Sequence, residues 1–458
     1  MIHSERNISM NFENIKNCVF EAAKAAGIDE YEIFYTSDSS VSAETLKDEI
    51  SAFTYGVSGG ICFRCVIDGR MGSASTELLD EGELRAIVAR AASNAKNIEG
   101  DDPAIIFRGS PKYEELTGAA FEMPAAAKIK NNALAIQKDT YAQSEYVTDG
   151  TQSCAFAGES EMRLVNSYGL DLSNKYGIHG AYIQAVVNKD GEAEEYFELR
   201  EDIELDKLAD LPSKAVNGAL AKLGAVGVVS GKYDVVFSAK QVRTLLSTYS
   251  PIFSARNAQL GMSLLKGKVG EVIASEKITL IDDPMREGCM AQTAFDGEGV
   301  ATYKKTVIEG GVLRTLLYDI STAQKEGRDS TGNGQRAGYA EPVTIEPYSF
   351  YICAGDKSFD DVISSVKDGI YITAMKGLHA GADAVTGDFS IDSEGFRIRD
   401  GKICEAVKSF TVAGNFFDLL KDIKDVANDL TFGLPSGFTV FGAPSILVPQ
   451  MSIAGKDE

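Results

Sequence analysis

Apolar positions along this 458-residue chain switch between a helical and an alternating period. Residues 11–26 put Phe12, Ile15, Val19, Phe20 and Ala23 at helical spacing, and Gly27 follows as a C-cap. The period then shortens. Residues 31–36, 41–46, 60–68 and 71–76 read as strands of a meander, parted by turn signals at 37–40, Gly59-Gly60 and Asp68-Gly69. Leu79 to Asn97 returns to a helix, with Leu84, Ile87, Val88 and Ala91 on one face. Residues 98–124, rich in Asp, Pro and Gly, read as a surface connection, and Ala125 to Gln143 as a second long helix. Short strands follow to about residue 200, punctuated at Gly158-Glu159, Ser167-Tyr168-Gly169 and Lys189-Asp190-Gly191, the last a hairpin signal. Ile203 to Leu223 is helical again, with Pro212 suited to begin a helix.

Gly224 to Gly231 is uncharged and holds three Gly, which marks a linker. The second half opens with a strand over 232–238 and a helix through Leu246. From 269 onward it is rich in strands and Gly, with hairpin turns at Glu309-Gly310-Gly311 and Asp400-Gly401 and helices near 358–367 and 415–428. The expected fold class is α+β in two large lobes, each a mixed antiparallel sheet with helices. The N-terminal lobe covers 1–223, with an opening domain to about 100 and a central helix and strand domain from about 125. The linker is 224–231, and the strand-rich C-terminal domain covers 232–458.

With 44% apolar and 24% charged residues, a chain of this length buries a large core unaided. The net charge of −22 disfavours direct contact with nucleic acid or an anionic membrane, both of which need basic patches. No run approaches the ~18 apolar residues of a membrane span. Met1 to Asn14 is polar and lacks the apolar centre of a signal peptide. Seven Cys without a signal read as reduced thiols, so a cytoplasmic location is expected.

Three enzyme signatures fail. Gly56-x-x-Gly59-Gly60 is followed by no GK[ST], and no G-x-S-x-G elbow occurs. Cys62 and Cys65 form a CxxC inside an alternating strand, where residues three apart face opposite ways, and no second CxxC accompanies it. The three His are His3 in the terminus, His179 in a strand and His379 in a loop, so no helix offers a metal-binding His pair. Gly-rich polar loops at 295–300, 330–336 and 377–390 read either as hairpin turns or as walls of a cleft. The cleft candidates they carry are Asp296, Glu298, Asn333, Arg336, His379 and Asp388.

At these loops the chain resembles the TldD/PmbA family, also named modulator of DNA gyrase. The resemblance rests on FDGEGVATYKKTVIEGGVLRTLLYD and the expected helix STAQKEGRDSTGNGQRAGYAEP, on the block from Gly369 to Leu430, and on APSILVPQMSIAGK. AETLKDEISAFTYGVSGGICFRCVIDGRMGSAST matches the opening domain, so co-linear blocks run from about 20 to 456. The family implies a cytoplasmic peptidase acting on extended or unfolded peptides. Its TldD-type subunit carries HExxxH and a later Cys, and pairs with a PmbA-type (TldE) subunit. Here the matching region, 235–257, has no His, Glu or Cys, and the last Cys is Cys404. On the same helix Val242, Leu245, Leu246 and Tyr249 make an apolar face, and Arg243 would oppose a dication.

The resemblance therefore implies a PmbA-type subunit with no metal of its own, zinc being expected in a TldD-type partner. Such a subunit completes a chamber and grips an extended peptide, as main-chain pairing suits unfolded substrates. A second reading is a hydrolase built on His379, Asp388 and Ser390, the latter two sharing a strand face. A third is a non-enzymatic homodimeric binding module. Strand-rich, Gly-rich sequence in the second half, with too little helix to cover every sheet, points to a dimer: with itself when alone, with a TldD-type chain in the cell.

Overall fold

The structure, a computed structural model, describes residues 10–99, 103–117 and 121–455; His3 lies outside them. The N-terminal part runs α1 (Phe12–Ala25), β1 (Glu30–Leu46), β2 (Glu49–Ile67), β3 (Arg70–Thr76) and α2 (Glu81–Asn97). It continues through α3 (Ala126–Tyr141), β4 (Gln152–Asn166), β5 (Asp171–Lys189), β6 (Glu192–Arg200) and α4 (Leu211–Leu220). The six strands form one antiparallel sheet in the order β3-β2-β1-β4-β5-β6.

Side chains alternate across a strand, and here the two faces have different tasks. Tyr31, Ile33, Val41 and Ala43 of β1 turn to the helical side. At one end they join α1 and α2 with Ile61, Phe63 and Cys65, and at the other α3 and α4. Phe34 of β1 and Cys62 of β2 turn the other way and pack against Ala294 and Phe295 of the C-terminal part. Cys62 and Cys65 thus occupy separate cores, as their three-residue spacing requires.

The C-terminal part opens with β7 (Gly231–Phe237), α5 (Ala239–Tyr249), α6 (Ala255–Gln259), β8 (Leu280–Asp282), β9 (Lys305–Glu309) and β10 (Val312–Leu313). Then come α7 (Ile320–Lys325), β11 (Gly334–Gln335), β12 (Thr344–Ile345), β13 (Ser349–Ile352), α8 (Phe359–Ser364) and β14 (Asp368–Lys376). It ends with α9 (Leu378–Gly381), β15 (Asp388–Arg399), β16 (Lys402–Asn415), α10 (Phe416–Asp422), β17 (Asp425–Val426), β18 (Thr431–Phe432), β19 (Val440–Ala443) and β20 (Ile446–Ala454). One sheet has the order β16-β15-β14-β7-β20-β17, and a further pairing of β16 with β20 closes it on itself. A second sheet runs β10-β9-β8-β13-β19-β18. Helix α5 bridges the two, touching β7 and β14 on one side and β18 and β19 on the other. Residues 224–230 join the parts, and Val226 bridges to Val407.

The hairpin signals at Lys189-Asp190-Gly191, Glu309-Gly310-Gly311 and Asp400-Gly401 are all hairpins, with the Asp and Gly residues at positive φ. Other expectations need correcting. The polar run 37–40 is no turn. It continues β1, with Ser37 paired to Gly59 on one side and Glu161 on the other. Two flanking strands satisfy its backbone from both sides, which outweighs the turn preference of Ser and Asp. Gly59 also lies mid-strand, where a Cβ would sit 2.5 Å from the Thr36 carbonyl oxygen, so close approach rather than turning selects it. The short strands expected before residue 200 are three paired strands, β4 and β5 being long. The helix expected over 321–342 stops at Lys325, just before Gly327 at φ 64°. The C-terminal sheets are not wholly antiparallel, since β7 with β14 and β13 with β19 are parallel.

Helix α2 rests on β3 at Gly72, where a Cβ would stand 2.1 Å from the Ala91 carbonyl oxygen and 2.5 Å from the Ala95 nitrogen. Gly72→Val is therefore expected to destabilise the N-terminal part by about 1–3 kcal/mol through overpacking. Urea denaturation measures this, and a wild-type midpoint would show that the helix yields freely.

Candidate functional site

Two of the three Gly-rich loops meet where the N-terminal sheet faces the C-terminal part. Asp296 folds the first loop on itself: its Oδ1 accepts from the N–H groups of Glu298 and Val300, each at 2.9 Å. Its Oδ2 accepts from the Gly334 N–H of the second loop at 2.9 Å, and the Gly297 N–H donates to the Gly334 carbonyl at 2.7 Å. Glu298 Oε2 accepts from the Ile320 N–H at 2.9 Å, which fixes the start of α7. Asn333 donates to Asp282 Oδ2 at 2.8 Å and to the Glu346 carbonyl at 2.9 Å, beside the buried Lys305–Asp282 pair. Arg336 reaches across the seam and donates from Nη2 to Glu32 Oε1 at 2.5 Å. Arg64 of β2 donates to the same oxygen from Nε at 2.8 Å.

Glu32, Asp296, Glu298, Asn333 and Arg336 are all buried. Burial alone would raise the Glu32 carboxyl, but the charges and hydrogen bonds of Arg64 and Arg336 hold it below the usual carboxylate range. Burial, with the Asp296 carboxylate beside it, pushes the Glu298 carboxyl up to about 8. The Asp296–Glu298 pair thus keeps a proton near neutral pH. The nearby hydroxyls of Thr293 and Thr302 donate to the carbonyls of Phe295 and Thr293, both at 2.6 Å, and serve to hold the loop.

The third loop does not join this cluster through any described contact. His379 is exposed on α9, and Asp388 and Ser390 are exposed on β15. Asp388 accepts from Asn415 Nδ2 at 2.9 Å, and no described hydrogen bond links it to His379 or Ser390. Of the six cleft candidates, Asp296, Glu298, Asn333 and Arg336 come together, while His379 and Asp388 stand apart. Glu32 and Arg64, which complete the cluster, were missed because each occupies a polar slot in an alternating strand, which reads as solvated until a second lobe covers it.

A second site forms around α5. Gln241 is buried and donates to the Thr373 carbonyl at 2.8 Å. Arg243 donates from Nη1 to Thr431 Oγ1 of β18 at 3.1 Å, tying the helix to the second sheet. Arg286 stacks 3.6 Å over the Phe432 ring, and Lys240 lies 5.5 Å from the Phe197 ring of β6. Burial raises the Glu201 carboxyl beside them, against the charges of Arg286 and Arg243. Among the described residues, no group of three or more His, Cys, Asp and Glu side chains is arranged to hold a metal ion.

Three family descriptions match in series: PmbA/TldA metallopeptidase domain 1 over residues 31–95, the central domain over 113–223, and the C-terminal domain over 230–455. An uncharacterised protein of Methanocaldococcus jannaschii is 30% identical over 400 residues, spanning 86% of this chain and 90% of its own. A metalloprotease of Methanothermobacter thermautotrophicus is 28% identical over 453 residues, covering 93% and 96% respectively. Among solved structures, TldE from Thermococcus kodakarensis superposes with a TM-score of 0.87 at 25% identity, over 96% of this chain and 100% of that one. A protein of Thermotoga maritima described as a modulator of a DNA gyrase gives 0.86 at 28% identity, over 97% and 100%.

The protonated acid sets a pH test. A carboxyl whose folded value is raised contributes stability that is full below its unfolded value and is lost as pH rises toward the folded one. Stability of the wild type should therefore fall between about pH 4.5 and 8, by up to about 1.4 kcal/mol per unit from this group. Glu298→Gln, which cannot ionise, should flatten that slope in thermal melts taken across the range. An unchanged slope would place the titrating group elsewhere.

Proposed function

Because this chain belongs to the PmbA/TldA metallopeptidase family, we propose that it is a PmbA-type, metal-free subunit of a cytoplasmic peptidase complex acting on extended peptides. The observation that carries this reading is the character of α5. The resemblance puts the active subunit's HExxxH on this helix and its late Cys near β18. Here the helix offers Lys240, Gln241 and Arg243, and Arg243 itself spans the gap to Thr431. A guanidinium has no lone pair for a metal and repels a dication. Gln241 is committed to the Thr373 carbonyl. This donor set does not fit zinc, so no hydrolytic step is assigned to it, and zinc is expected in a TldD-type partner.

The likeness to a solved TldE points the same way. Pairing with a second chain is supported by surface that is apolar yet exposed. Leu260, Met262, Leu264, Val269 and Val272 stand out of the 260–272 segment, and Phe53, Tyr55 and Val57 lie on a stretch of β2 that β3 leaves unpaired. The motive differs from the one read in the sequence: one C-terminal sheet is closed on itself, and the exposed apolar stretch of strand lies in the N-terminal sheet.

Purified without tags, the chain should hold no stoichiometric zinc by elemental analysis, and one tightly held zinc per chain would overturn the proposal. Alone it should sediment as a dimer at micromolar concentration, rather than as a 49.1 kDa monomer, and cleave no peptide. Adding a TldD-type partner with HExxxH should produce cleavage that chelators abolish. Chelator-insensitive cleavage by the isolated chain would instead favour the set His379, Asp388 and Ser390.

A further inference from the structure

At the seam between the lobes lies a cavity of ≈ 550 Å³, walled by β2, β3 and the C-terminal loops. Arg64, Arg336 and Glu298 line it, with Arg70, Arg256 and Ala340 also in its wall. Arg336 is buried, yet among the described contacts its guanidinium bonds only through Nη2, to Glu32 Oε1. Its Nε is buried without a partner. A guanidinium carries five N–H donors and no acceptor, so most of this group's capacity is unspent in a place where unpaired donors are costly. Arg64 spends Nε and Nη2 on that same Glu32 oxygen, and no described bond uses its Nη1.

The two cations thus converge on one carboxylate oxygen while other donors of both are left over at a cavity wall. The ring of Phe34 lies under Arg336, 4.6 Å from its Cζ, and covers one flat face of the guanidinium. That leaves the planar edge, the geometry that pairs with two oxygens at once. The other acid in the wall close to them, Glu298, shares a proton with Asp296 near neutral pH because burial raises both carboxyls, so the pair cancels less of the arginines' charge than two carboxylates would. At the wall Arg256 is already paired with Asp319 at 2.8 Å.

We propose that this cavity binds a small carboxylate, the free carboxylate of an amino acid or of a peptide C-terminus, gripped by Arg336 and Arg64. A carboxylate carries a single charge and a planar oxygen pair. A phosphate dianion fits less well, because Asp319 and Glu341 share the wall. The site is distinct from α5 and does not depend on the peptidase reading.

Calorimetric titration of the full-length chain tests this with four probes: N-acetylalanine, its primary amide, N-acetyl-trialanine and inorganic phosphate. Saturable binding of either carboxylate, with none of the amide, is expected. Binding of both carboxylates identifies a small-acid site, and binding of the tripeptide alone identifies a peptide terminus. Ala340→Trp, which fills the cavity at an exposed position and leaves the charged cluster intact, should weaken the carboxylate roughly tenfold or more. Arg336→Gln should abolish binding, and circular dichroism shows whether that variant is folded. Equal binding of the amide, tighter binding of phosphate, no binding of any probe, or unchanged affinity in a folded Ala340→Trp variant would each overturn the proposal.

Discussion

One carboxylate oxygen sets how the two lobes meet. Glu32 Oε1 receives Arg64 from its own sheet and Arg336 from the C-terminal part, and Arg336 and Glu32 are almost wholly removed from water. Charges in such a place have no cheap alternative arrangement: removing one partner of a buried pair costs roughly 3–5 kcal/mol, because the other is left uncompensated. The loops that deliver Arg336 are themselves laced together through Asp296. Polar geometry at this oxygen thus works together with the apolar contact of Phe34 and Cys62 with Phe295, and with the Asn174–Gln292 and Lys408–Glu194 contacts, in joining one lobe to the other.

The alternation of β1 and β2 makes this possible. One face of the sheet is spent on two helical cores, one at each end, and the opposite face is free to meet the C-terminal part. Within that part, α5 is held between a closed sheet and an open one. Its buried residues, Val242, Leu245, Leu246 and Tyr249, anchor it, and its remaining positions decide what chemistry the chain can offer. At those positions the helix carries Lys240, Gln241 and Arg243.

Much of the architecture was legible in the sequence. Helices α1, α2 and α3 follow from their apolar spacing, and Asp190-Gly191, Gly310-Gly311 and Asp400-Gly401 mark hairpins because those turns need positive φ. Some failures have a local cause, as where Gly327 stops α7, and others arise where partners distant in sequence override local preference. Ser37 to Ser40 form strand because β2 and β4 flank them. In the site, the Gly-rich loops drew attention to Asp296, Glu298, Asn333 and Arg336, since Gly allows the close backbone approach that two laced loops need. Glu32 and Arg64 gave no such signal, because a charged residue in an alternating strand looks the same whether water or another lobe lies over it. The loop carrying His379 has the same composition as the other two, but α9 and β15 hold it on the closed sheet.

The closure of the C-terminal sheet also has a consequence in time. Its first strand, β7, pairs with β14 and with β20, and β20 in turn pairs with β16. The ring cannot shut until residues near 454 have left the ribosome, more than two hundred positions after β7. At about 5–20 residues per second that interval is roughly 10–45 seconds. For part of it β7 awaits β14 and for all of it β20, while every strand of the N-terminal sheet has already been made. The part of the fold that waits longest for its strand partners during synthesis is thus the second half.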